Sequence, residues 1–220
     1  MKGLLRGSAL AGTMAALIPS AALATIILPQ TIEEMARESV AVVRGRVVDK
    51  TAAWDAEHRR IYTTTTLEVR DSIHATRALP RQLKVRTLGG EVGETGMKVA
   101  GTPQFLMGED VLVFLRPDPL VADAFQVIGM AQGKFQVREE AKGQVVAVPS
   151  LEGLAFARPG DDGVLRVDGD AAAGKALPYL DLRARILTAL HTPAPVQSTN
   201  PAVPAAPRAP APAPAPAPRE

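Results

Sequence analysis

Three histidines, one tryptophan and no cysteine set the chemistry open to this 220-residue chain. Without a thiol there is no cysteine nucleophile, no thiolate metal site and no disulfide. His58, His74 and His191 lie far apart, and none has a spacing that turns two imidazoles toward one ion. His191 ends a helical stretch, where a cation suits the helix dipole, and His74 reads as a loop residue. The densest polar cluster is Trp54-Asp55-Ala56-Glu57-His58. Asp55, Glu57 and His58 are metal-type donors, but they fit a solvated turn as well, and no metal or cofactor is expected.

The run Gly89-Gly90-Glu91-Val92-Gly93-Glu94-Thr95-Gly96 has the glycine content of a phosphate loop without its Gly-Lys-Ser/Thr ending. No helix follows it, and Glu91 and Glu94 would repel an anion. No G-x-S-x-G elbow and no carboxylate pair in a recognisable frame occurs. The chemistry points to binding rather than catalysis. Trp54 is a large ring with a polar N–H, a favoured interface anchor. Its competing role is a lid on the core. Glu91, Val92 and Met97 sit in the long glycine-rich connection 89–105, whose backbone can adapt to a partner. If this connection and the polar loop Asp49 to Arg60 share one end of the domain, those four residues form one contact surface. Two other classes stay open. One is a hydrolase whose site residues are scattered in sequence, and the other is a passive envelope scaffold.

The elements that must carry these residues are mostly strands. Val40 to Val48 is rich in β-branched residues, and Gly45 inside it predicts a bulge or bend. Ile61 to Val69 alternates, with Ile61, Thr63, Thr65, Leu67 and Val69 on one face. Leu83 to Thr87 alternates as well. Val111 to Leu115 is wholly apolar and should be the most buried. Phe125 to Ile128, Lys134 to Arg138 and Gln144 to Val148 complete the series. Thr31 and Glu34 form a capping box for a short helix ending near Ser39. Leu180 to Leu190 reads as a closing helix with a Leu182, Ile186, Leu190 stripe widened by Leu187. Between Pro149 and that helix the pattern fades, with turns at Gly160 to Gly163 and Asp168 to Asp170.

Short strands with regular turn signals predict a mainly β chain. The expected form is a small antiparallel OB-like barrel over about residues 38–148, with short N-terminal and C-terminal helices. Val42, Val47, Leu67, Val69, Val85, Val111, Val113 and Phe135 are the expected core.

Residues 1–24 read as a cleavable signal peptide. Lys2 and Arg6 precede an uncharged apolar run, Pro19 breaks it, and Ala22-Leu23-Ala24 is a small-x-small site. The run is too short to span a bilayer, which needs about 20 residues, and no other span is expected. The protein is therefore expected in the periplasm or medium. The whole chain has 25 Lys+Arg against 23 Asp+Glu, and the leader holds two of the bases and no acid, so the mature part is balanced. Nothing in that balance suggests nucleic acid as a partner. Residues 25–192 are enough for a single domain. Residues 193–220 hold 10 of the 19 prolines and should be a disordered, extended tail.

The segments Val42-Val43-Arg44-Gly45-Arg46-Val47-Val48, Leu67-Glu68-Val69, Leu83-Lys84-Val85 and Gly108-Glu109-Asp110-Val111-Leu112-Val113-Phe114-Leu115 carry a resemblance. They are similar to uncharacterised exported proteins of myxobacterial type, with a V-x-G-x-V opening strand and a late G-E-x-x-L-x-F-L strand. Their layout also resembles the OB-folds of netrin modules and metalloproteinase inhibitors. The likeness covers roughly residues 38–138. It implies an OB-like barrel and an exported protein, such as a protease, as partner. The animal inhibitors act through an N-terminal cysteine and disulfides that this chain lacks, so their inhibitory residues do not carry over.

Overall fold

The computed structural model describes residues 25–151, 154–160, 164–170 and 174–192. The expected signal peptide and Pro/Ala tail lie outside the described residues. The described part is mainly β with two α-helices. In chain order the elements are β1 (Thr25–Ile27), α1 (Ile32–Glu38), β2 (Ala41–Trp54), β3 (Ile61–Ala75), β4 (Gln82–Leu88), β5 (Gly90–Val92) and β6 (Thr95–Met97). Then come β7 (Asp110–Pro117), β8 (Ala124–Val127), β9 (Lys134–Glu139), β10 (Val145–Pro149), β11 (Leu154–Pro159), β12 (Leu165–Asp170), β13 (Leu177–Pro178) and α2 (Tyr179–His191).

One eight-stranded sheet runs β13-β10-β9-β7-β2-β3-β4-β8. Its last strand returns to its middle, because β8 pairs with both β4 and β7. Strands β2, β3, β4, β8 and β7 thus form a closed circuit of pairings. Every pair in the circuit is antiparallel except β4–β8, where Lys84 and Val85 run parallel to Ala124 and Phe125. The expectation of a wholly antiparallel sheet is corrected there. The chain between β4 and β8 is long enough to return in the same direction, which a hairpin cannot do. A second parallel pair joins β1 to β11 in a small sheet with β12.

The circuit is possible because the middle of β7 and the first residues of β2, Ala41 to Val43, are apolar on both faces. Val111 to Leu115 are all 0% exposed. Val113, Val111 and Val43 pack inside the circuit with Leu67, Leu83 and Phe125. Leu112, Phe114 and Val42 pack outside it against Phe135, Leu182 and Ile186. Each such side chain contributes about 1.5–3 kcal/mol by leaving water. Of the expected core residues, Val69 alone is only partly buried, at the edge of the inner cluster. At Gly45 the β2–β3 register shifts, and a Cβ there would lie 2.9 Å from the Glu68 carbonyl oxygen. That close approach is what the glycine permits.

Several loops expected from sequence are strands. Asp49 to Trp54 continues β2, pairing with Thr66 to Ile61, so the β2–β3 connection is only Asp55 to Arg60. Its polar residues look like a loop by hydrophilicity, but the β-branched partners of β3 hold it extended. His74 is not in a loop; it lies in β3 opposite Val42. Asp168 to Asp170 end β12 rather than forming a turn, and the turn expected at 160–163 lies mostly outside the described residues.

The two helices are held by the contacts their sequences encode. Thr31 and Glu34 make the reciprocal capping box of α1. Tyr179, Leu182, Ile186 and Ala189 are the buried stripe of α2. Arg185 joins the helices through two bonds to Glu33, at 3.0 and 2.8 Å. Partial burial opposes the Glu33 charge, yet these bonds hold its carboxyl below the usual range.

At the start of α2 the Tyr179 hydroxyl donates to Asp71 Oδ2 at 2.9 Å. The Arg44 guanidinium stacks over the Tyr179 ring, 4.9 Å from its centre. Burial, and then the bond to the Asp71 anion, push the phenol up to about 12. A raised folded-state value stabilises below the unfolded pKa, near 10, and the contribution fades as pH climbs through the folded value. Urea midpoints should therefore fall between about pH 10 and 12 more steeply in the native chain than in a Tyr179→Phe variant. Because Asp71 is half-exposed, the expected difference is screened to about 1–2 kcal/mol. Parallel curves for the two proteins would contradict this account.

Candidate functional site

The residues singled out by sequence gather at one end of the circuit. Trp54 closes β2 opposite Ile61. The turn that follows is built by Asp55, whose Oδ1 accepts from the Arg59 and Arg60 amides at 2.7 and 3.1 Å. These amides, Arg59 first, hold the Asp55 carboxyl below its ordinary value. The possible cation cluster is thus a turn in which Asp55 serves the backbone. His58 sits in the left-handed region at φ 52° and its ring stacks on Trp54. Trp54 is half-buried and belongs to neither core cluster.

The glycine-rich connection is not a long mobile loop in this fold. Its first part is the β5–β6 hairpin, with Gly90 opposite Met97, Glu91 opposite Gly96 and Val92 opposite Thr95. Gly89 and Gly90 have φ of 103° and 139°, a region closed to most residues. A Cβ on Gly90 would lie 2.3 Å from Thr63 Oγ1 and 3.1 Å from Ala52 Cβ. The two glycines let the hairpin root fold down onto Ala52 and Thr63 of β2 and β3, two residue pairs from Trp54 and its partner Ile61. The structure therefore brings Trp54 and the hairpin bearing Glu91, Val92 and Met97 to the same end. Glu91 is exposed there; Val92 and Met97 are half-buried.

Two clefts flank this end, and neither was foreseen. The first, of about 390 Å³, lies between the inner face of β2–β3–β4, the hairpin root and the strap Pro103 to Phe105. Its wall is polar, with Lys50, Thr63, Thr65 and Thr87 at inward positions. Lys50 Nζ donates to the Phe105 carbonyl oxygen, and Thr63 Oγ1 to that of Gly89 at 2.7 Å. The signal for it is legible: Thr63 and Thr65 occupy core-facing steps of an alternating strand, where aliphatic residues are the norm.

The second cleft, about 330 Å³, lies on the outer face between Arg59, Arg60, Tyr62, Arg86 and Leu120. The Arg86 guanidinium lies over the Tyr62 ring, 3.5 Å from its centre, and reaches Asp118 at 3.4 Å. Asp118 also accepts from Leu120 N, Val121 N and Gln126 Nε2, at 2.8, 3.0 and 3.1 Å. Burial works against its charge, but these bonds win and hold it below the usual carboxylate range. Asp118 thereby fixes the β7–β8 connection at the same end. No local pattern marks this set, because Tyr62, Arg86 and Asp118 come from three separate elements.

One nucleophile–amine pair appears elsewhere. Ser150 Oγ lies 3.5 Å from Lys134 Nζ, beside a cleft of about 370 Å³. That amine also donates to Glu109 Oε1 at 2.7 Å, and the two side chains are buried together. Among the described residues no group of three or more His, Asp or Glu could hold a metal ion, and no helix is long and apolar enough to cross a membrane. No protein-family model matches this chain, and a search of curated proteins finds no match.

Proposed function

We propose that this chain is an exported, non-enzymatic binding module, periplasmic or secreted, built on an OB-type barrel. Its partner is an exported protein, with a protease as the class the netrin-type resemblance suggests. The closed order β2-β3-β4-β8-β7, with its single parallel pair, supports the barrel reading. The observation that carries the binding reading is the seating of the β5–β6 hairpin against Ala52, Ile61 and Thr63, next to Trp54. Three connections meet at that end, and such rims are where barrels of this type engage partners. Trp54, Glu91, Val92 and Met97 are the contacts.

Affinity capture from the native secretome with the full chain tests the reading, followed by the same capture with Trp54→Ala. Loss of an interface anchor should weaken the captured complex by about 2 kcal/mol or more. The variant should stay close to native stability, because the ring is half-buried and outside both clusters. A stability loss of about 3–5 kcal/mol would instead mark Trp54 as a buried plug and remove the proposed surface.

A further inference from the structure

The inner cleft asks for an explanation that partner binding does not supply. Most of the inward face of β2–β3–β4 is aliphatic, with Val47, Leu67, Leu83 and Val85 all at most 1% exposed. Toward the Trp54 end the same face turns to Lys50, Thr63, Thr65 and Thr87. Thr65 is 0% exposed, and its hydroxyl has no hydrogen-bond partner among the described residues. Valine would fill that position at equal size without stranding a polar group. A buried hydroxyl kept without a partner points to use rather than packing. Lys50 stands opposite Thr65 on the neighbouring strand, and its ammonium, with three donors, has the Phe105 carbonyl as its bonding partner. Donors are thus in surplus at the inner wall. The single acid at the cleft is Glu91, on the exposed hairpin root.

We propose that this cleft binds a small zwitterion of amino-acid size, with its carboxylate on Lys50 and its ammonium toward Glu91. The ammonium leaves the Phe105 carbonyl to meet the ligand, and that movement uncovers the Thr65 hydroxyl as a further donor. A volume of about 390 Å³ falls in the range of small-molecule sites. A simple dianion such as phosphate is disfavoured by Glu91. The site does not rest on the partner reading: the two share Glu91, but Trp54, Val92 and Met97 are not among the lining residues of the cleft.

Saturation-transfer NMR on the full chain with a mixture of free amino acids tests it, beside the same compounds as α-amides and beside acetate. At least one free amino acid should bind at millimolar concentration or below, and its amide should not. Lys50→Met removes an exposed side chain and should weaken that binding about tenfold or more. Thr65→Val should also weaken it while leaving the thermal midpoint unchanged or raised. Trp54→Ala should leave it intact, so failure of the partner surface and of this site are told apart. Absence of binding by any free amino acid overturns the proposal. So does equal binding by Lys50→Met, and so does a Thr65→Val protein that melts earlier yet binds normally.

Discussion

Lys134→Met should destabilise the fold by about 3–5 kcal/mol, the cost of leaving one partner of a buried pair unmatched. The Lys134 and Glu109 side chains are only 4% and 5% exposed and meet at 2.7 Å. With the amine gone, Glu109 is left buried with, among the described residues, the Leu106 amide alone, at 3.0 Å on its other oxygen. The flat ring of Phe105, 5.3 Å from the amine, offers that carboxylate nothing. A double variant, Lys134→Met with Glu109→Leu, should recover most of the loss. It removes both charges together, and the Leu106 amide that it strands lies at an exposed residue where water can serve it. Denaturant midpoints of the three proteins give the comparison. A double variant as unstable as the single one would mean that the pair is valued for its shape, not for its neutrality.

Phe114→Ala is the second large effect, again about 3–5 kcal/mol. The ring is 0% exposed and meets Phe135 in a tilted contact with centroids 6.0 Å apart. It sits on the face of β7 that the helices cover, and removing it opens a void beneath α2. Domains of this size are stable by about 5–15 kcal/mol in total, so the loss is a large share. The expected signature is a lowered midpoint in urea. A loss below about 1 kcal/mol would mean that the layer between sheet and helices collapses to fill the void.

The parts of this architecture that were legible are those written in short-range pattern. The Thr31–Glu34 box and the Leu182–Ile186 stripe are local, and both elements appear where they were expected. Alternation in β3 placed Ile61, Thr65 and Leu67 inward, and all three are buried. What escaped was of three kinds. Polar overhangs such as Asp49 to Ala53 are strands only because β3 is beside them. Strands as short as β1 and β13, of three and two residues, are too brief for a period to show. The parallel β4–β8 pair, and the meeting of Tyr62, Arg86 and Asp118, depend on which distant segments become neighbours. Local periodicity carries no record of that. The candidate contacts Trp54, Glu91, Val92 and Met97 were readable as residue types; that the hairpin root is pressed onto Ala52 and Thr63 was not.

The joining of α1 to α2 and of β1 to β11 has a consequence for how the chain is made. Glu33 meets Arg185 across 152 positions, and Thr25 pairs with Leu154. Synthesis delivers the first partner of each pair long before the second. Loops of that length close slowly, and contacts far apart in sequence delay folding. Until Leu182 and Ile186 emerge, Met35 and Phe114 lack the cover of α2. The β2–β3 hairpin can form early, but the outer apolar layer stays open until α2 has been made. Until α2 has been made, the sheet therefore carries one finished apolar layer and one unfinished one, and the step that closes the second is the docking of α2.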